Sequence, residues 1–295
     1  MIKFLLKYLK SHLLIPKYYK DVNSVETEPI FILGGNRSGT SIITSIISSH
    51  PNIEGIFNDN KVPVLSKNKH VMAYCTSHHI WDFLIYFNKN WAQNNEGVLW
   101  GHPKNISKYY RDKPKNKRES LLMANSIEYF RKTNKQPLIN SHFNMFRIGL
   151  IKKVFPKAKF VLIIKNYEEL IKSCYDKWPK QGIKIEYPKI GLHWYNSNLS
   201  CIYDLKKYSP KDHCIIDYSL LFGDLSQTRN YLNKEMSKIG LNKFEYNLDL
   251  INQKYRFINS DGFHGLEYEK IFGCVDTLIN YEEELIEKSI KKEKR

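Results

Sequence analysis

The sequence lacks the cysteine pairs that a disulfide framework or a structural zinc site requires. Its five cysteines are odd in number, and no two of them form a C-x-x-C pair. Three nearby histidines, His70, His78 and His79, are not accompanied by the cluster of carboxylates or cysteines that would complete a metal site. We therefore expect a protein without a bound metal, in a reducing compartment.

Long hydrophobic runs are also missing, because no stretch approaches the roughly 20 apolar residues of a transmembrane helix. The basic amphipathic leader, residues 1–24, has lysines within its apolar stretches and no small-residue cleavage site, which argues against a signal peptide. These absences predict a cytoplasmic protein. The leader is compatible with a helix packed on the domain or with peripheral contact, through residues 1–20, with an anionic membrane surface.

Acidic residues are too few to balance the basic ones. The chain has 46 Lys and Arg against 30 Asp and Glu, a formal net charge of +16. This excess favours acidic partners such as a nucleotide, a polyanionic glycan, an anionic membrane or nucleic acid. Aromatic and basic residues are interleaved in "NISKYYRDKPKNKR", Asn105–Arg118, but they do not form a recognisable nucleic-acid-binding module. We therefore expect no nucleic-acid partner.

Short runs of β-branched and apolar residues predict buried parallel strands, and helical patterns lie between them. The runs are Pro29–Leu33, Pro137–Asn140, Lys159–Ile164 and His213–Asp217. This alternation indicates an α/β fold with a central parallel sheet flanked by helices. Since no repeat or linker interrupts the chain, residues 25–295 are interpreted as one domain, with the aromatic-rich residues 60–135 as a helical insertion over the site.

The stretch "GGNRSGTS", Gly34–Ser41, lacks the residue that would make it an ATP site. Gly34 and Gly39 have the spacing of a phosphate-binding loop, but Thr40 stands where such a loop carries its lysine. Backbone N–H groups at the start of the following helix still form an anion site, and Arg37 supplies positive charge. The motif therefore predicts a loop for an anion other than the triphosphate of ATP.

Two helices are predicted to begin directly after strands. Ser41–His50 is rich in β-branched residues, but its isoleucines recur at helical spacing, and a helix follows the strand and glycine loop in this kind of unit. Asn166, with Glu169 three residues later, predicts an N-cap and its capping-box partner. The second helix would therefore cover Tyr167–Trp178.

The first predicted strand, loop and helix, "PIFILGGNRSGTSIITSIISSHPNI", closely resemble a segment of sulfotransferases that use 3'-phosphoadenosine 5'-phosphosulfate (PAPS). In that family R-S-G-T-S/T follows a strand and forms the 5'-phosphosulfate loop, and an H-P pair follows the helix. "FPKAKFVLIIKNYEELIKSCY" resembles the family's 3'-phosphate segment, with Lys165 where arginine is usual and Ser173 eight positions further on. The family resemblance spans about residues 29–241.

Two further segments are similar to the same family. "QPLINSHFN" resembles the segment that carries the catalytic histidine of the cytosolic branch, with His142 at that position and Asn140 where that branch has lysine. "IIDYSLLFGDLSQTRNYLNKEMSKIGL" resembles a late strand and helix, with Tyr218 at the position of a tyrosine near the nucleotide. The acidic pair that usually follows this tyrosine is absent.

The resemblance implies a P-loop-type sheet and a sulfotransferase that moves the sulfuryl group of PAPS to a hydroxyl or amine. The product adenosine 3',5'-bisphosphate (PAP) would be released, and no metal would be needed. Arg37 and His142 would act in catalysis, with His142 as general base. The resemblance also implies that the donor nucleotide is held by Arg37, Ser38, Gly39, Thr40, Ser41, Lys165, Ser173 and Tyr218.

The identity of the base and the acceptor stay open at this point. In the tyrosine-sulfating branch the base is a glutamate shortly after the H-P pair, but Asn58 occupies that position here, which leaves Asp59 or Glu54 as displaced alternatives to His142. The positive charge and the aromatic insertion favour a glycan or glycolipid acceptor. The alternatives are a nucleotide kinase, against which the missing lysine argues, and an inactive relative that binds an anionic glycan or a membrane.

Overall fold

The computed structural model describes residues 19–55, 110–131, 133–177, 187–241 and 243–248. Its central sheet consists of β1 (Ile30–Leu33), β2 (Ile53–Gly55), β3 (Gln136–Asn140), β4 (Lys159–Ile164) and β5 (His213–Asp217). The strands are arranged in the order β2-β3-β1-β4-β5, and each neighbouring pair is parallel. The parallel sheet predicted from the apolar runs is therefore confirmed.

Helices connect the strands and cover both faces of the sheet. The α-helices are α1 (Thr40–Ile47), α2 (Lys117–Phe130), α3 (Ile148–Val154), α4 (Tyr167–Lys177), α5 (Tyr187–Tyr208) and α6 (Leu225–Ser237). Short 3₁₀ helices cover Val22–Ser24, His142–Phe146 and Tyr218–Leu221. None of the described helices is both long and apolar enough to span a membrane.

Side chains of the sheet alternate between two hydrophobic layers, as successive residues of a strand must. Phe31 and Leu33 point into one layer, which they share with α2, α3 and α5. Ile30 and Ile32 point into the other layer, which contains the isoleucines of α1 and the apolar side of α6. The strands are buried on both faces for this reason, and the molecule has the three-layer architecture of an α/β fold.

The structure extends the sequence-based prediction at the sheet edge and at the helix ends. The strand Ile53–Gly55 was not predicted, because three residues containing Glu54 do not form an apolar run. The helical period was the correct guide for Thr40–Ile47, despite its β-branched residues. Asn166 caps α4 as predicted, since its Oδ1 accepts the N–H of Glu168 over 2.9 Å.

Part of the predicted peripheral structure lies outside the described residues. One helix, α2, falls within residues 60–135, and it is capped by Asn116, whose Oδ1 accepts the N–H of Glu119 over 3.0 Å. The rest of that segment up to residue 109 is outside the described ranges, and so are residues 1–18 of the leader. The histidines His70, His78 and His79 are among these residues, and Asn58 and Asp59 also lie outside the described ranges.

Candidate active site

The glycine loop connects β1 to α1 at the edge of the sheet where the parallel strands end. Gly39 is the N-cap residue of α1 and has a φ of 98°, which glycine adopts without strain. Arg37 has a φ of 67°, which is uncommon for a residue with a side chain. Because the first N–H groups of a helix have no intrahelical partner, the loop has the construction of an anion site.

The loop is pressed against the ends of two neighbouring strands. A Cβ atom added to Gly34 would lie 2.9 Å from Cγ2 of Ile163 in β4. A Cβ atom added to Gly39 would lie 2.4 Å from Cε2 of Tyr218, which directly follows β5. Both distances are too short for a real Cβ contact, so the two glycines of the motif are required for the close approach of the backbone to these side chains.

The hydroxyl groups of the loop differ in their surroundings. Ser38 and Thr40 are 2% and 4% exposed, whereas Ser41 is exposed in the first turn of α1. The Ser38 hydroxyl donates to the Gly35 carbonyl over 2.7 Å and thereby closes the loop. Ser38 therefore stabilises the loop conformation in this structure, and Ser41 presents its side chain to solvent.

A buried lysine lies beside the loop. Lys165 follows β4, is 2% exposed, and has its Nζ 4.3 Å from the centre of the Tyr218 ring. The Glu169 carboxylate lies 3.9 Å from the same Nζ. Burial lowers the pKa of Lys165, while Glu169 opposes this shift and the Arg37 charge adds to it. The indole N–H of Trp194 donates to the Lys165 carbonyl over 2.8 Å and fixes the backbone at this point.

Arg37 joins the glycine loop to α4. Its Nε donates to the Ser173 hydroxyl over 3.2 Å, across a sequence separation of 136 residues. The structure therefore brings Arg37, which the sequence assigned to the 5'-phosphosulfate of the nucleotide, into direct contact with Ser173, which it assigned to the 3'-phosphate. The next residue, Cys174, is buried, and burial raises its thiol pKa to about 12 despite the nearby positive charges. Cys174 is thus a protonated thiol and not a nucleophile.

His142 lies at the same edge of the sheet, as predicted. β3 pairs with β1 so that Asn140 is opposite Ile32, and the chain beyond Asn140 therefore reaches the glycine loop. The His142 Nδ1 lies 2.9 Å from the Gly34 carbonyl oxygen. A carbonyl oxygen only accepts, so Nδ1 carries the hydrogen, and Nε2 of the neutral ring is then the nitrogen that can accept a proton.

Glu54, one of the alternative bases, is held elsewhere. It pairs with Pro137 at the start of β3, three residues before Asn140, which is about 10 Å along a strand. Its carboxylate accepts the N–H and the hydroxyl of Thr133 over 2.9 and 2.7 Å. The interpretation of Glu54 as a base is therefore corrected, because the strand register places it toward the end of the sheet where β3 begins, away from the glycine loop. Asp59 lies outside the described residues.

Sequence reasoning missed the residues of α5 that lie behind the site. His193 is buried close to the loop, since a Cβ atom on Gly35 would lie 3.8 Å from its Nε2, and its Nδ1 lies 3.3 Å from the Ser197 hydroxyl. Trp194 contacts the Lys165 carbonyl as described above. No motif marks α5, and the spacing of buried polar residues such as His193 and Ser197 is the only local signal for this contact.

The fold and the site define a P-loop-type α/β protein with a glycine-containing loop at the start of a helix and two cationic side chains, Arg37 within the loop and Lys165 beside it. Among the described residues, no group of three or more His, Cys, Asp or Glu side chains is arranged to hold a metal ion. Residues 29–232 match the model of the sulfotransferase family. The chain belongs to this family, which supports an enzyme that transfers sulfuryl groups.

Similar solved structures include three bacterial sulfotransferases or sulfotransferase domains. STF9 from Mycobacterium avium is 10% identical, with a TM-score of 0.50 over 93% of this chain and 80% of that one. STF1 from Mycobacterium tuberculosis is 14% identical, with a TM-score of 0.49 over 86% and 80%. The sulfotransferase domain from the curacin biosynthetic pathway is 13% identical, with a TM-score of 0.46 over 86% and 99%. No curated protein matches the chain.

Proposed function

We propose that this protein transfers the sulfuryl group of PAPS to a hydroxyl or amine of an acceptor molecule. Its membership of the sulfotransferase family supports the reaction class. The observation that carries the choice of donor is the 3.2 Å hydrogen bond between Arg37 and Ser173, because it unites the glycine loop and the Lys165 segment in one site. PAPS has anionic groups on both its 5' and 3' oxygens, and such a site offers a cation to each.

In the proposed complex, the N–H groups of Gly39, Thr40 and Ser41 and the Arg37 guanidinium bind the 5'-phosphosulfate, and the hydroxyl groups of Thr40 and Ser41 add hydrogen bonds. The Ser38 hydroxyl has one hydrogen, so it donates to the phosphosulfate by releasing the Gly35 carbonyl. Lys165 and Ser173 bind the 3'-phosphate. Lys165 is a compact point charge rather than the bidentate fork of an arginine, so it attracts the phosphate without fixing its rotation. Tyr218 contacts both Gly39 and Lys165, and its ring would border the nucleotide.

The proposed reaction is an in-line displacement at sulfur. The acceptor oxygen or nitrogen forms a bond to sulfur while the bond from sulfur to the 5'-phosphate oxygen breaks, and PAP leaves with the electron pair. Negative charge grows on that phosphate, where Arg37 and the loop N–H groups stabilise it. The acceptor proton passes to Nε2 of His142, which the hydrogen bond from Nδ1 to Gly34 keeps in the accepting tautomer.

For the acceptor we propose a glycan or glycolipid. The net charge of +16 supports attraction of an acidic or polyanionic acceptor. The aromatic-rich residues 60–135, most of which lie outside the described residues, supply rings of the kind that pack on sugar faces. Screening glycans, glycolipids, phenols and tyrosine peptides with PAPS labelled in its sulfate tests this choice, because label should appear in the first two groups.

The catalytic proposal is tested by replacing Arg37 with alanine. Since Arg37 stabilises charge that develops as the bond breaks, kcat should fall by about 10²- to 10³-fold, and PAP affinity should fall much less. Arg118→Ala, a change at an exposed arginine on α2, is the matched control and should leave both quantities unchanged. Equal kinetics of the two variants would contradict the proposal. Consumption of ATP instead of PAPS by the wild type would favour a kinase. Binding of the nucleotide without any turnover would favour an inactive relative.

A further inference from the structure

We propose that Glu169 is the resting counter-ion of Lys165, that the 3'-phosphate of the donor replaces it, and that Glu169 thereby limits the affinity for PAP. This inference rests on the function proposed above. It concerns an acidic residue of α4 that the donor-binding roles leave unused.

The ion pair between Lys165 and Glu169 can be broken at little cost in free energy. Lys165 is 2% exposed, whereas Glu169 is 46% exposed, so the carboxylate can turn into water while the ammonium stays in place. Their separation of 3.9 Å is longer than a hydrogen bond, which means that attraction of charges holds the pair without a directional contact. Little has to be disrupted when another anion reaches the Lys165 ammonium.

The position of Glu169 on α4 puts it in the path of that anion. Ser173, the second proposed ligand of the 3'-phosphate, follows Glu169 by four residues on the same helix, and residues four apart share a helix face. Lys165 precedes Glu169 by four residues and contacts it. A phosphate held between Lys165 and Ser173 would therefore lie beside the Glu169 carboxylate, and the two anions would repel each other.

The groups described around the Lys165 ammonium include no carboxylate besides Glu169. Arg37 is positive and is already engaged with Ser173, the Cys174 thiol is uncharged, and Tyr218 presents the face of its ring. The pKa of Lys165 reflects the same arrangement, because Glu169 is the group that most strongly favours its charged form. Glu169 thus balances the buried charge while the site is empty and opposes the phosphate when it arrives.

Two substitutions on α4 that each remove one negative charge provide the test. Glu169→Gln and Glu168→Gln remove the same charge from the same first turn of α4, so both lose the same favourable interaction with the helix N-terminus. Only Glu169→Gln removes the carboxylate that pairs with Lys165. From the usual strength of an exposed ion pair, Glu169→Gln should bind PAP about two- to fivefold more tightly than Glu168→Gln in calorimetric titrations.

AMP, which has no 3'-phosphate, should bind both variants equally, and the gain for PAP should shrink as salt is added, because Glu169 is half exposed. A structural role of Glu169 would predict weaker binding instead. Equal or weaker PAP binding by Glu169→Gln overturns the inference, and the proposed function still stands if the wild type prefers PAP to AMP. A wild type without that preference overturns both.

Discussion

Replacing Gly39 with alanine should disrupt the proposed PAPS site and weaken PAP binding, whereas the matched change Gly240→Ala should leave PAP binding intact. Both glycines have left-handed backbones, with φ values of 98° and 74°. A residue with a side chain costs about 1–2 kcal/mol in that conformation, so both variants lose this amount from the free energy of unfolding. The two sites differ in what the new Cβ atom meets.

At Gly240 the added Cβ atom would lie 3.7 Å from the Lys159 Nζ, an ordinary contact with the end of a flexible side chain. At Gly39 it would lie 2.4 Å from the Tyr218 ring, which must move. Moving the ring breaks its contact with the Lys165 ammonium, worth about 0.5–2 kcal/mol. We therefore expect Gly39→Ala to lose about 1.5–4 kcal/mol in all, and its donor site to lose both the loop conformation and the ring.

Denaturant unfolding and calorimetric titration with PAP measure the two effects. Gly240→Ala should unfold more easily but bind PAP as the wild type does. Gly39→Ala should lose at least about tenfold in PAP affinity, because charge-assisted hydrogen bonds of the loop depend on its geometry. If Gly39→Ala binds PAP as tightly as Gly240→Ala, the glycine loop is not the phosphate site.

Three further predictions follow from His142, Asp204 and Cys174. His142→Ala should lower turnover about 10²-fold with unchanged PAP affinity and should abolish the rise of the rate through a histidine pKa; unchanged turnover would exclude this base. Asp204 lies on α5, is 1% exposed, and accepts the Tyr110 hydroxyl over 3.1 Å. Burial raises the pKa of Asp204 to about 6, so its charged form destabilises the folded protein above that pH. Asp204→Asn should therefore raise the free energy of unfolding by up to about 3 kcal/mol at neutral pH and by almost nothing under acid conditions. An equal gain at both pH values would refute this cause. The Cys174 thiol should resist alkylation at mildly alkaline pH until the protein unfolds, as mass spectrometry would show.

The sequence was informative wherever a local pattern determines a local structure. The buried strands are apolar because helices cover both faces of the sheet, so runs such as Lys159–Ile164 predict them directly. The isoleucines of Thr40–Ile47 face one hydrophobic layer, and their helical spacing outweighed their β propensity. Lys165 and Ser173 were assigned from the resemblance to the sulfotransferase 3'-phosphate segment, and the structure places Lys165 directly after β4 and Ser173 on α4.

Contacts between distant segments were not predictable in this way. The position of Glu54 depends on the register of a three-residue strand against β3, which its own residues do not encode. The hydrogen bond from Trp194 to the Lys165 carbonyl depends on how α5 packs beside α4. Arg37 and Ser173 were each assigned a phosphate, but their direct contact appears only once the loop and α4 are placed together.

Calorimetric titration of the wild-type protein with PAP and then with AMP is the most direct test of the proposed donor. The two nucleotides differ in the 3'-phosphate that Lys165 and Ser173 are proposed to bind. Because each charge-assisted hydrogen bond is worth about 1.5–3 kcal/mol, PAP should bind at least about tenfold more tightly than AMP. Equal affinity for PAP and AMP would contradict the proposal that this site binds PAPS.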